Sequence, residues 1–283
     1  MQRLVDLVGA AAVRLPSGGD KGAEHAFHLR TSPMRDDDGH LLGAVTVMED
    51  ITQMRAHDQA RVDFIDVAVE HLRLPLTEVE LGLHSVLEGS FGDLSEKQSD
   101  VLQSCRADCE RLDELLRDLL ELSHLEAGAQ PAHASRIDPA YLLKGAGEKI
   151  RTQIESKRIT LIVSAPANLP MVWADRDQID RMLAQLTDNA IRHTPAGGEI
   201  ELVARLNDSE IRIEVSNTGE VIPREFEREI FEKFIQVPNA PAGRSGLGLA
   251  IGKRLIEQNG GQVSVRSEPG RGVIFSFTLP LAS

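Results

Sequence analysis

The sequence predicts a multidomain α+β protein, in which a helical hairpin separates a short N-terminal β segment from an α/β-layered domain. A β-rich run at 41–48 follows a strong turn signal at 36–39. From about Arg55 to Gly128, apolar residues recur in alternating steps of three and four, which is typical of paired helices. Beyond residue 138, β-rich runs alternate with amphipathic segments, as they do in domains that stack helices on a sheet.

These changes of pattern predict four parts of the chain. They are a β segment at 1–53, a helical hairpin at 54–128, a Pro- and Ala-containing linker at 129–137 and an α/β domain at 138–283.

Composition excludes several classes of function. The formal net charge of −13 disfavours general nucleic-acid binding, which needs clustered Lys and Arg. No apolar run reaches the roughly 18 to 20 residues that a membrane span requires, and the N-terminus lacks a signal-peptide pattern. We therefore expect a soluble, cytoplasmic chain with no membrane span. Cys105 and Cys109 do not have the spacing of a zinc site, and both are predicted to be small core residues.

The hairpin carries two apolar seams. The first consists of Val62, Ile65, Val69, Leu72, Leu76, Val79, Leu83 and Val86, and the second of Leu102, Cys105, Cys109, Leu112, Leu116 and Leu119. Pro75 should kink the first helix, and Ser95 is the expected N-cap of the second. One hairpin cannot bury both seams well, so we expect a homodimer in which two hairpins form a four-helix bundle.

The α/β domain is predicted to start with a helix to about Arg158. Strands at 159–163 and 171–174, and a helix from Arg176 to His193, should follow. Strands are then expected at 199–205, 210–216, 262–267 and 272–279, with a last helix at 247–258.

The helix 176–193 carries the first candidate site residues. Gln185 and Asn189 are one helical turn apart, so both amides should lie on one face, where their oxygens could ligate Mg²⁺. Arg192 is about one turn further and could reach a phosphate oxygen. Alone, such residues usually form a solvated helix face.

Two further segments complete the candidate site. Asn217-Thr218-Gly219 follows a strand, and Ser245-Gly246-Leu247-Gly248 opens the last helix. Glycines allow backbone N–H groups to approach phosphates, and a helix N-terminus favours anions. Each of these signals is weak alone, but their order along the chain is specific.

The ordered motifs resemble the ATP-binding domain of sensor histidine kinases over residues 138–281. The motifs are 185–195, 215–219, 230–234, 243–251 and 270–280. The resemblance implies an α/β sandwich of the Bergerat type that binds ATP and Mg²⁺. It further implies that Asn189 holds Mg²⁺, that Asn217 meets the adenine amino group, and that Gly219 allows close approach to the base. Gly246 and Gly248 would cradle phosphates, and the segment 236–245 would form a mobile lid over the nucleotide.

Four positions depart from that family pattern. Gln185 stands where the family usually has Asn, and Asn217 stands where it usually has Asp. Val221 and Arg244 each replace a glycine; a bulky residue there narrows the pocket, or Arg244 adds a phosphate contact. We expect nucleotide binding to survive, because an amide oxygen still accepts a hydrogen bond from adenine.

The hairpin resembles the phosphoacceptor region of the same family. In the run 64–77, FIDVAVEHLRLPLT, Glu70 occupies the place of the phosphoacceptor histidine and His71 that of the acidic residue. Both should face solvent, but the His71 side chain points about 100° away from the family position. Leu74 replaces a polar residue that the family uses in phosphatase chemistry. His84, His124 and His193 are alternatives by residue type only.

Residues 29–52 resemble the C-terminal strands of a PAS sensor domain, although a complete one needs about twice the length available. We interpret this segment as a strand pair that helps dimerisation rather than as a ligand pocket.

The leading hypothesis is an ATP-dependent protein-histidine kinase that phosphorylates His71, with Glu70 beside it, and passes the phosphoryl group to a response regulator. Two alternatives stay open. One is a nucleotide-binding pseudokinase that acts as a dimeric scaffold or modulator. The other is a chaperone- or topoisomerase-type ATPase of the same superfamily, which the preceding hairpin disfavours.

Overall fold

The computed structural model describes residues 10–16, 24–36, 38, 40–128, 133–166, 168–237, 245–268 and 270–282. The chain divides between Val67 and Ala68 into two compact units. Among the described residues, no helix is both long and apolar enough to cross a membrane.

The first unit contains an antiparallel sheet of three strands in the order β1–β2–β3. They are β1 (Ala10–Pro16), β2 (Glu24–Arg35) and β3 (Leu41–Asp50). The predicted pair of strands is confirmed, and β1 is an additional strand on the free edge of β2. Within the predicted turn, Asp37 and Gly39 lie outside the described residues. The PAS interpretation of this sheet stays a prediction.

Two long helices form the predicted hairpin. Helix α1 (Thr52–Leu87) continues through Pro75, and α2 (Glu96–Glu126) begins after the expected N-cap Ser95. The Gln98 Oε1 atom accepts a hydrogen bond from the backbone N–H of Ser95 at 3.0 Å, which satisfies one donor at the start of α2. An Arg73–Asp113 ion pair of 3.5 Å links the two helices.

The hairpin leaves much of its apolar seams exposed. Val69 and Cys109 are buried, whereas Leu72, Val79 and Leu112 are each more than half exposed. Cys105 is exposed as well, so its prediction as a core residue was wrong. One helix covers only one side of its partner, and residues on the rest of each apolar face stay open to solvent.

Beyond the hairpin, the second unit is an α/β sandwich. Its main sheet has the order β5–β7–β8–β10–β9, with β5 parallel to β7 and the other neighbours antiparallel. These strands are β5 (Thr160–Ser164), β7 (Glu199–Asn207), β8 (Glu210–Asn217), β9 (Val263–Glu268) and β10 (Gly272–Pro280). The helices are α3 (Pro139–Lys157), α4 (Arg176–His193) and α5 (Gly248–Gln258). The core lies between the helices and one face of the sheet.

Part of the predicted linker belongs to this sandwich. Ser135–Ile137 forms strand β4, which pairs antiparallel with β6 (Val172–Ala174). The Ile137 side chain is buried in the main core. The linker prediction 129–137 was therefore wrong at 135–137, because a short strand with one apolar residue has no periodicity that distinguishes it from a loop.

Capping aspartates fix the starts of two helices. The Asp138 carboxylate accepts from the Ala140 N–H at 2.8 Å at the start of α3. Asp175 accepts from the N–H groups of Asp177 and Gln178 at 3.0 and 3.2 Å at the start of α4. Such caps satisfy backbone donors that have no partner within the helix. The Asp175 cap therefore fixes where α4 begins.

The C-terminal half of α2 packs against α5 of the sandwich. A second apolar cluster contains Leu122 and Leu125 from α2, and Leu247, Ile251 and Leu255 from the segment that opens and forms α5. Polar contacts surround it. The Ser245 hydroxyl lies 2.7 Å from the Asp118 carboxylate, and Lys233 lies 2.6 Å from Glu126. This contact joins the hairpin to the loop that opens α5.

Glu121 is a largely buried charged group of α2, with a side chain that is 15% exposed. Its carboxylate pairs with Arg181 of α4, while its Oε1 atom has no hydrogen-bond partner among the described residues. Burial raises the pKa of Glu121 above its ordinary value, and the Arg181 charge and hydrogen bond oppose that rise. Because Glu121 loses solvation in forming this pair, the pair adds little net stability to the contact between α2 and α4.

Leu247 is the residue whose truncation should weaken this contact most. Its side chain is 0% exposed within the α2–α5 cluster. We expect Leu247→Ala to lower the free energy of unfolding by about 2 to 5 kcal/mol, because it removes buried methyl groups and leaves a cavity. Leu206→Ala, at a position 53% exposed, is the control and should cost less than about 1 kcal/mol. Chemical denaturation of the two variants measures the difference, and equal costs would contradict the packing described.

Candidate nucleotide-binding site

A cavity of about 580 Å³ opens between α4, the end of β8 and the N-terminus of α5. This volume lies within the range of about 300 to 1,000 Å³ that is usual for small-molecule sites. Its lining residues are Gln185, Asn189, Arg192, His193, Asn217, Glu220, Val221, Ile222, Pro223, Ile230, Ile235, Gln236, Val237, Gly246, Gly248, Leu249, Val273 and Phe275.

Helix α4 supplies the polar wall. Gln185, Asn189 and Arg192 line the cavity from one face of the helix and are partly buried. The opposite face is apolar, and its Leu183 and Leu186 side chains are almost completely buried in the core. The amphipathic pattern of α4 therefore holds two amides and one guanidinium group toward the cavity.

Strand β8 ends at the cavity with Asn217. The strand lies in the interior of the sheet, where Asn217 pairs with Ile200 of β7 and with Val273 of β10. Its side chain is only 4% exposed, and its Nδ2 atom has no hydrogen-bond partner in the part of the chain that the structure describes. Because a buried, unpaired amide donor is costly, this atom points to a ligand with an acceptor group.

Gly219 does not line the cavity but shapes the wall beside Asn217. A Cβ atom at position 219 would lie 2.2 Å from the carbonyl oxygen of His193 and 2.5 Å from the Asn217 Nδ2 atom. Neither distance is compatible with a side chain, and the first involves backbone that is fixed by α4. Glycine is therefore required where the chain passes the end of α4.

The loop before α5 supplies the glycine-rich wall. Gly246 has φ of +70°, a conformation that non-glycine residues rarely adopt. A Cβ atom at Gly248 would lie 2.3 Å from the Gln185 Nε2 atom, so the Gln185 amide packs directly on the backbone that opens α5. Both glycines line the cavity and leave its backbone accessible at a helix N-terminus, where anions bind favourably.

An apolar wall completes the cavity. Val273 and Phe275 project from β10, and Phe231 packs edge-on against Phe275 with ring centroids 6.2 Å apart. Ile222 and Ile230 line the same cavity. The sequence interpretation did not assign these residues to the site. Beyond the motifs 230–234 and 270–280, the signal for Val273 and Phe275 is the alternation of apolar residues along β10, which is the same for a cavity wall as for a core.

Two residues predicted for the site face the hairpin instead. Leu247 is completely buried in the α2–α5 cluster, so its side chain does not contribute to a phosphate cradle. Ser245 bonds Asp118 through its hydroxyl group and accepts from the Leu247 N–H at 3.0 Å. Arg244 and most of the predicted lid, at 238–244, lie outside the described residues.

The predicted phosphoacceptor pair lies on α1. Glu70 and His71 are both exposed, as are their neighbours Arg73 and Leu74. The exposed fraction of Leu74 is 68%. A histidine in this setting is accessible to an incoming phosphoryl group. Its role as phosphoacceptor stays a prediction.

Two family models match the chain. Residues 60–128 match the "His Kinase A (phospho-acceptor) domain", and residues 174–283 match the "Histidine kinase-, DNA gyrase B-, and HSP90-like ATPase" family. The first match covers the hairpin, and the second covers the part of the sandwich that contains the cavity.

Curated relatives match most of the chain. The alginate biosynthesis sensor protein KinB of Pseudomonas aeruginosa is 34% identical over 249 residues, which are 88% of this chain and 42% of that protein. The sensor protein DivL of Caulobacter vibrioides is 32% identical over 79% of this chain and 28% of its own length. The chain thus spans less than half the length of these two relatives.

A solved structure extends the likeness to three dimensions. Full-length ShkA in complex with AMPPNP superimposes with a TM-score of 0.62 and 26% identity, over 78% of this chain and 46% of that one. The two family matches, the curated relatives and this solved structure all point to the same family. The chain belongs to the sensor histidine kinases.

Proposed function

We propose that this chain is the kinase core of a two-component sensor: it binds ATP with Mg²⁺, phosphorylates its own His71 and donates the phosphoryl group to an aspartate of a response regulator. The observation that carries the proposal is the cavity between α4, β8 and α5. Three separated segments bring three amides, a guanidinium group and a glycine-rich helix N-terminus to one space.

The lining residues suit each part of ATP. The apolar wall of Val273, Phe275 and Ile222 offers a surface for the adenine ring, and the Asn217 amide offers hydrogen bonds at the edge of the base. Backbone N–H groups near Gly246 and Gly248 suit the phosphates.

The polar wall of α4 suits the metal ion. Asn189 and Gln185 carry amide oxygens, which are hard ligands of the kind that Mg²⁺ prefers, and we assign Mg²⁺ to Asn189. The Gln185 amide lies against Gly248, so it also supports the loop that opens α5. The metal would neutralise phosphate charge as the γ-phosphoryl group leaves.

The transfer itself needs a nitrogen nucleophile. A neutral ring nitrogen of His71 would attack the γ-phosphorus, forming an N–P bond as the bond to the β–γ bridging oxygen breaks and ADP leaves with the electron pair. Glu70 would hold the imidazole or take its released proton. A carboxylate oxygen of the response regulator would then displace the imidazole from phosphorus. Because ATP is supplied in the cytoplasm, the proposal assigns the reaction to that compartment.

We also propose that the chain acts as a homodimer through the hairpin. Leu72, Leu74, Val79 and Leu112 are each more than half exposed although they are large and apolar. A second hairpin would cover such residues in a four-helix bundle.

A pseudokinase is the second candidate, and two observations favour it. Glu70 holds the position at which the family has its phosphoacceptor, and Val221 lines the cavity at a position where the family has glycine. The chain would then bind nucleotide and act as a dimeric scaffold or modulator of a partner kinase.

Incubation with γ-labelled ATP and Mg²⁺ separates the two candidates. The kinase proposal predicts an acid-labile, base-stable phosphoprotein, because phosphohistidine has that stability profile. Phosphosite mapping should locate the group on His71. Nucleotide binding without any label, in the presence or absence of a response regulator, would leave the pseudokinase candidate.

A further inference from the structure

The Asn217 side chain has the same shape as an aspartate side chain but differs from it in its hydrogen-bonding groups. An ionised carboxylate only accepts hydrogen bonds, whereas a primary amide offers an acceptor, Oδ1, and donors on Nδ2. The Nδ2 atom is buried and has no hydrogen-bond partner among the residues that the structure describes. The amide therefore brings an unused donor to the wall of the cavity.

Neighbouring groups do not compete for this donor. The adjacent Thr218 hydroxyl accepts from the Glu199 N–H at 2.8 Å, so it is engaged elsewhere. The Asn217 backbone is held between β7 and β10, and a Cβ atom at Gly272 would lie 1.9 Å from its carbonyl oxygen. The residue cannot withdraw its amide from the cavity by a shift of the backbone.

The oxygen and the nitrogen of the Asn217 amide have nearly the same size, so either atom fits the place that the other occupies. A turn of about 180° about the last side-chain bond exchanges the donor and the acceptor. Asn217 is thus able to present either arrangement to a ligand.

We infer that Asn217 lets the site accept 6-oxopurine nucleotides as well as ATP. This inference rests on the proposed function, which assigns the base to Asn217. Adenine has an amino group at carbon 6 and an acceptor at N1, so Oδ1 accepts from the first and Nδ2 donates to the second. Hypoxanthine has an oxygen at carbon 6 and an N1–H, and the turned amide matches these groups with the same two hydrogen bonds.

A carboxylate at this position would make only one hydrogen bond with either base. It accepts from the adenine amino group or from the hypoxanthine N1–H, and its second oxygen then faces an acceptor of the base, either N1 or the oxygen at carbon 6. An amide that can turn leaves neither acceptor unpaired, and unpaired buried polar groups weaken binding. Asn217 is therefore proposed to let this chain bind both bases with similar strength.

Competition binding with ATP and inosine triphosphate tests the inference on the chain as it stands. Both nucleotides are titrated with Mg²⁺ against a fluorescent ATP analogue. We expect their dissociation constants to agree within about tenfold, and Asn217→Ala to weaken both by a similar factor of at least about tenfold, because each nucleotide loses the same two hydrogen bonds. Asn207→Ala makes the same chemical change at an exposed position of β7 and should leave both affinities unchanged.

The outcomes distinguish the inference from the proposed function. ATP binding with more than about tenfold weaker binding of inosine triphosphate to the unaltered chain would overturn the inference alone. Binding of neither nucleotide would overturn both. If Asn217→Ala fails to fold, the ratio measured on the unaltered chain still decides.

Discussion

Replacing His71 with alanine should abolish phosphorylation of this chain. His71 is exposed on α1, and the kinase proposal makes its imidazole the only acceptor of the phosphoryl group. The alanine side chain is a methyl group and cannot act as a nucleophile. The neighbouring Glu70 has no nitrogen in its side chain, so it cannot form the same N–P bond. We expect the acid-labile label to fall to background while the affinity for ATP stays within about twofold, because α1 contributes no residue to the cavity.

His84→Ala is the matched control. His84 lies on the same helix, is also exposed and forms an ion pair of 3.3 Å with Glu88. Its removal should leave the label intact. A label that persists in His71→Ala would contradict the assignment of the phosphoacceptor.

A double variant tests the pseudokinase candidate in the same assay. Glu70→His combined with His71→Glu restores the order that the family usually has. Activity that appears only in this variant would support the pseudokinase candidate. Activity of the unaltered chain that the exchange reduces would support the shifted nucleophile, because in-line transfer depends closely on the position of the attacking atom.

Gly219→Ala should prevent tight nucleotide binding. The added methyl group would lie 2.2 Å from the His193 carbonyl oxygen and 2.5 Å from the Asn217 Nδ2 atom. Either the end of α4 or the amide must move, and both belong to the cavity wall. We expect the affinity for ATP to fall at least about tenfold and the free energy of unfolding to fall by about 1 to 3 kcal/mol.

Gly145→Ala provides the control for this change. Gly145 lies in α3, and a Cβ atom there would meet nothing within 4 Å. Alanine is favoured over glycine inside a helix, so this variant should be more stable by about 0.5 to 1 kcal/mol and should bind ATP normally. Thermal unfolding and calorimetry measure both properties. Normal ATP affinity in Gly219→Ala would contradict the geometry of the site.

Local signals predicted the elements that have clear boundaries. Helix α4 was predicted at 176–193 and is observed there, because Asp175 caps its start and the Thr194-Pro195 pair follows its end. Strand β1, with three alanines and little β propensity, was not predicted. It forms through its pairing with β2, and such tertiary pairing overrides a weak local preference.

The candidate site was predictable where it depends on polar residues and glycines. Gln185, Asn189, Asn217 and Gly248 stand out by type and spacing, and all line the cavity. The apolar wall was not predictable, because Phe275 has the same pattern as any core residue of a strand. Leu247 was assigned to the site as part of the glycine-rich motif 243–251. Its packing against α2 involves residues more than a hundred positions away, which no local pattern reveals.

Calorimetric titration of the chain with ATP and Mg²⁺ tests the central claim most directly. The account predicts saturable heat with a stoichiometry of one nucleotide per chain, and loss of that heat in Gly219→Ala. No heat of association at millimolar ATP, from a chain shown to be folded, would contradict it.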